Sequence, residues 1–219
     1  MMGKLIVFEG VEGAGKTTQI ERTFDWLQTC VPNHISLYKT REPGGTEIGM
    51  DLRHLLLLGE NGALHQRTEL LLYAADRAQH VEQFLKPKLE QGAIILCDRY
   101  TDSTIAYQGY GRGIDLELIH QLNQIATLGL TSDLTLWFDI DVEQGLARAK
   151  KRGSVDRMEQ ADLAFHQRVR QGFRDLAAAD PQRMVRIEAN LPETEVQQQV
   201  CQVLQAKFHW GEDDHSSIS

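Results

Sequence analysis

The residues Gly10-Val11-Glu12-Gly13-Ala14-Gly15-Lys16-Thr17 fit the pattern GxxxxGK[ST]. Glycines in such a loop let the backbone curl until several amide N–H groups face one anion. A helix beginning just after adds the positive end of its dipole. Lys16 then reaches the β- and γ-phosphates of a nucleotide, and the Thr17 hydroxyl can ligate Mg2+. At ordinary residue usage a chance match in a chain this long is roughly a one-per-cent event. A nucleoside triphosphate such as ATP is therefore the ligand expected at Gly10–Thr17. Kinases, GTPases and motors share the pattern, so it names no single activity.

Two further groups of residues bear on the chemistry. Ile94-Ile95-Leu96-Cys97-Asp98-Arg99-Tyr100 reads as an apolar strand ending in a carboxylate. In an open parallel sheet, ligands gather at the carboxyl ends of the strands. That places Asp98 to hold Mg2+ beside Thr17, and Arg99 to meet a phosphate; a strand-end ion pair is the plainer alternative. Residues 148–157 carry five basic side chains against one acid, a local excess in a chain of net charge −8. Cations at a helix end favour its negative dipole, which is one account of them. The other is a short lid, about 148–158, with Gly153 as hinge or tip and Arg152 stabilising charge on a transferring phosphoryl group.

The acceptor can be argued from charge. A phosphate monoester has a second pKa of about 6 and is mostly dianionic at neutral pH, so it needs no base to accept a phosphoryl group. Its difficulty is repulsion from the triphosphate, which arginines relieve. Arg41, Arg77 and Arg99 are available beyond the lid.

Positioning these groups takes a sheet. Short apolar runs alternate with stretches of helical period. Strands are expected at Leu5–Phe8, Ile35–Tyr38, Ala93–Cys97, Leu134–Phe138 and Met184–Ile187. Helices are expected at Thr17–Leu27, 47–58, 66–90, 115–128, Val142–Lys151, Phe165–Ala178 and 193–208. Such alternation implies an α/β fold, a five-stranded parallel sheet with helices on both faces. Residues 1–210 read as one domain, with 211–219 a frayed acidic tail.

Several elements together resemble the thymidylate kinase family. They are Phe8 through Gln19, Thr40-Arg41-Glu42-Pro43-Gly44-Gly45-Thr46, Leu71 through Arg77, Asp98-Arg99-Tyr100 through Ala106-Tyr107-Gln108-Gly109, Ser132 through Leu136, and Arg152 through Arg157. The likeness runs in order over roughly residues 4–190. It implies a P-loop kinase fold with a short mobile lid, and transfer of the γ-phosphoryl group of ATP to dTMP with Mg2+ as cofactor. It implies that Arg41, Arg77 and Arg99 contact or orient the dTMP phosphate, and that Tyr73 stacks on thymine, although Tyr73 could also be core. Gln108 would lie where the base edge is read, Tyr107 would crowd the sugar 2′ position, and Glu12 would bind the 3′-OH. One form of the family carries its catalytic arginine inside the P-loop, where this chain has Gly13. The other supplies it from the lid, as Arg152 would here. Lys16, Arg99 and Arg152 are the expected catalytic residues, and a homodimer is the family's usual assembly.

Composition sets the outer limits. At 42% hydrophobic and 25% charged residues the chain is neither low-complexity nor wholly disordered. Its longest apolar runs, Leu55–Leu58 and Ala93–Cys97, fall far short of the ~18 residues of a membrane span. With no secretion signal in view, a cytoplasmic protein is expected. Three scattered cysteines and eight histidines without HxxxH or HxH spacing give no structural metal site. The negative net charge argues against a general nucleic-acid partner. A GTPase would carry an NKxD motif, which does not occur.

Overall fold

Leu5, Ile6, Val7 and Phe8 are all fully buried, because both faces of their strand are covered. Ile6 and Phe8 enter a core cluster with Leu96, Leu136 and Phe138, while Leu5 and Val7 enter another with Val81, Leu85, Ile95 and Cys97. Alternate side chains thus feed opposite faces, which is why the sequence shows a continuous apolar run instead of a period of two.

The structure, a computed structural model, describes residues 3–57, 64–151, 153, 157–158 and 161–210. Arg152, Ser154 to Asp156, Leu58 and the acidic tail lie outside the described residues. The strands are β1 (Lys4–Glu9), β2 (Leu37–Arg41), β3 (Ile94–Asp98), β4 (Leu134–Asp139) and β5 (Met184–Glu188). They form one parallel sheet in the order β2-β3-β1-β4-β5. Helices α1 (Lys16–Cys30), α8 (Leu163–Ala179) and α9 (Glu193–Phe208) bury Ile20, Leu27, Phe165, Val169, Val200 and Leu204 in the first cluster. On the other face lies a long helix: α3 (Gln66–His80), a π-helical turn Val81–Leu85, and α4 (Lys86–Glu90). The π turn comes just before Pro87, whose missing N–H cannot take the usual carbonyl. Helices α2 (Glu47–Leu57), α6 (Leu116–Thr127) and α7 (Val142–Lys150) complete the layers. Among the described residues no helix is long and apolar enough to cross a membrane.

The expected α/β architecture with helices on both faces is what the chain forms. Two details differ. The second strand runs over Leu37–Arg41 rather than Ile35–Tyr38, carrying Arg41 into the sheet. It is an edge strand and only half-buried, so apolar patterning marks it poorly. The segment after Arg99, for which no helix was expected, is helical: α5 (Thr101–Thr104) continues into a π-helical stretch, Ile105–Gly111. Thr, Ser and Gly are poor helix formers. Tertiary contacts make this helix instead, since the Glu9 carboxylate accepts from Tyr100 N (2.8 Å), Ser103 N (3.0 Å) and Ser103 Oγ (2.6 Å), and α8 packs along it.

Its other anchor is an ion pair. Arg183 donates to both carboxylate oxygens of buried Asp102, at 2.7 and 3.0 Å, tying α5 to the turn before β5. Replacing one partner leaves the other charge buried and unpaired. Arg183→Met is expected to lower stability by about 3 kcal/mol, read from urea unfolding, whereas a loss under ~1 kcal/mol would show that the pair is dispensable.

Candidate active site

The carboxyl ends of three strands lie level. Phe8 and Arg41 both stand opposite Asp98 in the strand register, so the loops leaving β1, β2 and β3 open at one height. They open into a single cavity of about 710 Å3. Its lining includes Glu12 to Gln19, Arg41, Tyr73, Arg77, Asp98, Arg99, Tyr107 and Gln108. Every expected site residue is therefore brought to this cavity except Gly10 and Val11, which back the loop, and Arg152, which lies outside the described residues.

The P-loop is built for an anion. Helices α6, α7 and α8 each have an aspartate cap (Asp115, Asp141 and Asp162), but α1 starts at Gly15 with no side chain on its first amides. Those N–H groups remain available to a phosphate. Lys16 folds back, its Nζ donating to the carbonyls of Gly10 (2.8 Å) and Val11 (3.0 Å). The loop also sits hard against α7. A Cβ at Gly13 would lie 2.0 Å from the Gly145 carbonyl oxygen, and one at Gly145 would lie 2.6 Å from the Glu12 oxygen.

Arg99 has a left-handed backbone, with φ of 70°, at the point where the chain turns from β3 into α5. That turn aims its guanidinium at the cavity, donating to Ser103 Oγ (3.1 Å) and Glu12 Oε1 (3.2 Å) above the Tyr107 ring. Tyr107 donates its hydroxyl to the same Glu12 oxygen at 2.6 Å, and His166 Nδ1 lies 3.3 Å from the other. Burial pushes Glu12 upward, but His166, Arg99, Lys16 and Tyr107 outweigh it and bring the carboxyl down to about 2. Glu12 is thus anionic across the physiological range.

Arg77 behaves differently. It is buried, with Nε on Glu42 Oε2 (2.7 Å), NH1 on Thr104 Oγ1 (2.8 Å) and Asn123 Oδ1 (2.9 Å), and NH2 on the Tyr100 carbonyl (2.9 Å). Most of its donors are committed to protein, joining α3 to α5 and α6. Glu42 also meets His80 Nδ1 at 2.8 Å, and Gly45 packs so closely on the His80 ring that a Cβ would lie 2.5 Å from it. The loop after β2 is therefore fixed from below, with Arg41 exposed at its start.

The family model for thymidylate kinase matches residues 8–200. A thymidylate kinase of Nostoc sp. is 59% identical over 208 residues, 93% of this chain and 96% of that protein. One from Trichodesmium erythraeum is 58% identical, covering 95% and 97%. The crystal structure of thymidylate kinase from Ehrlichia chaffeensis superposes with a TM-score of 0.77 at 36% identity, covering 94% of this chain and all of that one. The chain belongs to the thymidylate kinase family.

Within a thymidylate kinase, the Gly13–Gly145 contact acquires a meaning. No side chain fits at position 13 without moving the loop or α7, so an arginine could not be placed there. Residues that sequence reasoning did not single out also appear. Arg53 lines the cavity and donates to the Pro43 carbonyl at 2.8 Å. Arg148, which belongs to the basic segment expected as a lid, bonds the Ala189 carbonyl at 3.3 Å, and Ala189 to Val196 close the cavity beyond the P-loop. Glu9, Glu42 and Glu69 hold the site from behind. Each is a lone acid in a strand, turn or helix, and no local spacing distinguishes it from a solvated one.

The site also fits a divalent cation. Asp98 Oδ1 is buried and without a hydrogen-bond partner among the described residues, in the cavity that Thr17 also lines. Among the described residues no group of three His, Cys, Asp or Glu could hold a metal alone. Mg2+ held largely by nucleotide phosphates needs only one or two protein oxygens.

Burial, with Arg99 nearby, brings Lys16 down from the usual lysine value to about 8. The protonated form, the one able to meet a phosphate, is therefore lost above that pH in the free enzyme. We expect kcat/KM for ATP to fall above about pH 8, approaching tenfold per pH unit, while kcat holds to higher pH because bound phosphates restore the charge. A profile flat to about pH 10 would refute this account of Lys16.

Proposed function

We propose that this chain, a dTMP kinase by family, carries the γ-phosphoryl group of ATP to dTMP within this one cavity, in the supply of dTTP. The observation that supports the division of roles is that the P-loop and the acceptor residues line the same cleft. Lys16 and the open amides of α1 take the triphosphate. Arg41 and Arg99 meet the dTMP phosphate, and Arg77 holds the wall that orients it. Tyr73 faces the base, and Gln108 reads its edge. Glu12 accepts the sugar 3′-OH, beside the Tyr107 ring that crowds a ribose 2′-OH.

Thr17 and Asp98 would hold Mg2+, which neutralises and aligns the β- and γ-phosphates when bound. The acceptor phosphate is its own nucleophile, so the protein's work is positioning and charge stabilisation. The arginine that meets the transferring group is Arg152 of a lid at about 148–158. Gly153, with φ of 88°, supplies a backbone conformation suited to a hinge or tip. Closing the cleft excludes the water that would otherwise take the phosphoryl group.

The enzyme works as a cytoplasmic homodimer in this reading. Leu71 of α3 and Leu118 and Ile125 of α6 are exposed on helices that pack together, an apolar surface that a partner protomer would cover.

ADP release with ATP and Mg2+ tests the assignment. Fast turnover is expected on dTMP, slower on dUMP, and negligible on dAMP, dGMP, dCMP and thymidine. Activity on thymidine alone, or hydrolysis without an acceptor, would overturn it. In the same assay Arg152→Ala should lower kcat by on the order of 10^3 with little change in KM for dTMP. Unchanged turnover would remove Arg152 from the mechanism.

A further inference from the structure

We propose that Glu69 fixes which way round the Gln108 amide faces the base, making it a positioning residue for pyrimidine selectivity. The inference rests on the reading above that Gln108 meets the base edge. Glu69 lies in the first turn of α3, is only 1% exposed and stands behind the cavity wall. Its Oε1 accepts from Gln108 Nε2 at 2.8 Å. Its Oε2 accepts from Arg157 NH2 at 2.5 Å and Arg112 NH2 at 3.4 Å, and Arg112 Nε lies 3.5 Å from Oε1.

The orientation follows from the partner's chemistry. A carboxylate between two guanidinium groups has only lone pairs to offer, so the amide must turn its NH2 toward it. Gln108 is itself buried, and no described residue donates to its Oε1. The side chain lines the cavity, so its second polar atom on that side is an acceptor. Thymine and uracil carry an N3–H donor on the edge where cytosine carries an N3 lone pair. An amide oxygen held there accepts from the first two and meets the third with like polarity. Selectivity built this way depends on the wrong base leaving buried groups unpaired.

The same carboxylate also holds Arg157, which donates through Nε to the Leu56 carbonyl (2.9 Å) and through its backbone N to the Leu57 carbonyl (3.2 Å). A purely structural role for Glu69 would consist of that anchoring alone, and the measurements must separate the two.

Initial rates and equilibrium binding with dTMP, dUMP, dCMP and N3-methyl-dTMP do so. The unmodified enzyme should bind N3-methyl-dTMP at least about tenfold more weakly than dTMP, the scale of one lost hydrogen bond. In Glu69→Gln either amide orientation can be satisfied. We expect the preference for dTMP over dCMP in kcat/KM to fall by about tenfold, through KM rather than kcat, while the dTMP:dUMP ratio stays at the wild-type value. Combined with Gln108→Met, the Glu69→Gln change should cost no further selectivity. If N3-methyl-dTMP binds as well as dTMP, the amide oxygen is not the acceptor and the proposal fails, whether or not the variant folds. If Glu69→Gln lowers the melting temperature but leaves the dTMP:dCMP ratio intact, Glu69 only anchors Arg157. If Gln108→Met alone leaves KM for dTMP unchanged, the base-reading role of Gln108 is what fails.

Discussion

Bringing two phosphorylated nucleotides together means overcoming the repulsion between them, and the rest of this structure depends on how that is done. The chain has a net charge of −8, yet its cavity is lined by Lys16, Arg41, Arg53, Arg77, Arg99 and Arg148. Before substrate arrives these cations repel one another. Buried carboxylates hold two of them, Glu12 for Arg99 and Glu42 for Arg77, while Glu69 holds Arg112 and Arg157 behind the cavity wall. Each bridges elements distant in sequence, so neutralising the site and assembling it are done by the same contacts. Burial leaves its mark on the groups that the pairing serves least. Lys16 is pushed down to about 8, and Glu9, desolvated with only partial relief from Arg99, rises to about 7.

Rigid placement comes from the sheet. Strands buried on both faces cannot slip by one residue without turning their apolar side chains out of register. The level ends of β1 and β3 therefore fix the P-loop and Asp98 relative to one another, and the pairing of the edge strand β2 with β3 sets Arg41 opposite Asp98. The strained turn at Arg99, with φ of 70°, is held in turn by its N–H bond to the Phe8 carbonyl at 3.0 Å and by the Glu9 bridge to Tyr100 and Ser103. Backbone strain of this kind persists where the surroundings over-determine it.

How much of this the sequence displays depends on the range of the interaction. The P-loop is legible because its geometry is local: glycines, lysine and threonine do their work at fixed spacing. The central strands are legible because burial on both faces makes apolar runs. The edge strand β2 and the helix over 101–111 are not, since one is half-solvated and the other is built by packing against a weak helical sequence. Resemblance to the family locates Tyr107 and Gln108 where spacing alone gives nothing. Glu69, behind the site, escapes both routes. Glu69 meets Gln108 39 residues away and Arg157 88 residues away, and only the fold puts them together.

The loop's fit against α7 closes the argument about charge. The Gly145 backbone leaves no room for a side chain at Gly13, and the Glu12 carbonyl leaves none at Gly145. A P-loop packed in this way can cradle phosphates with its amides and Lys16, but it has no room to carry an arginine of its own. Charge that develops on the transferring group must then be met from across the cleft. Arg99 is already bound to Glu12 and Ser103, and Arg77 to four protein acceptors, so neither is free to follow a moving phosphoryl group. On the reading proposed here, the basic segment after α7 takes that part because α7 itself is what crowds the loop: one helix both denies the P-loop an arginine and leads the chain to its replacement.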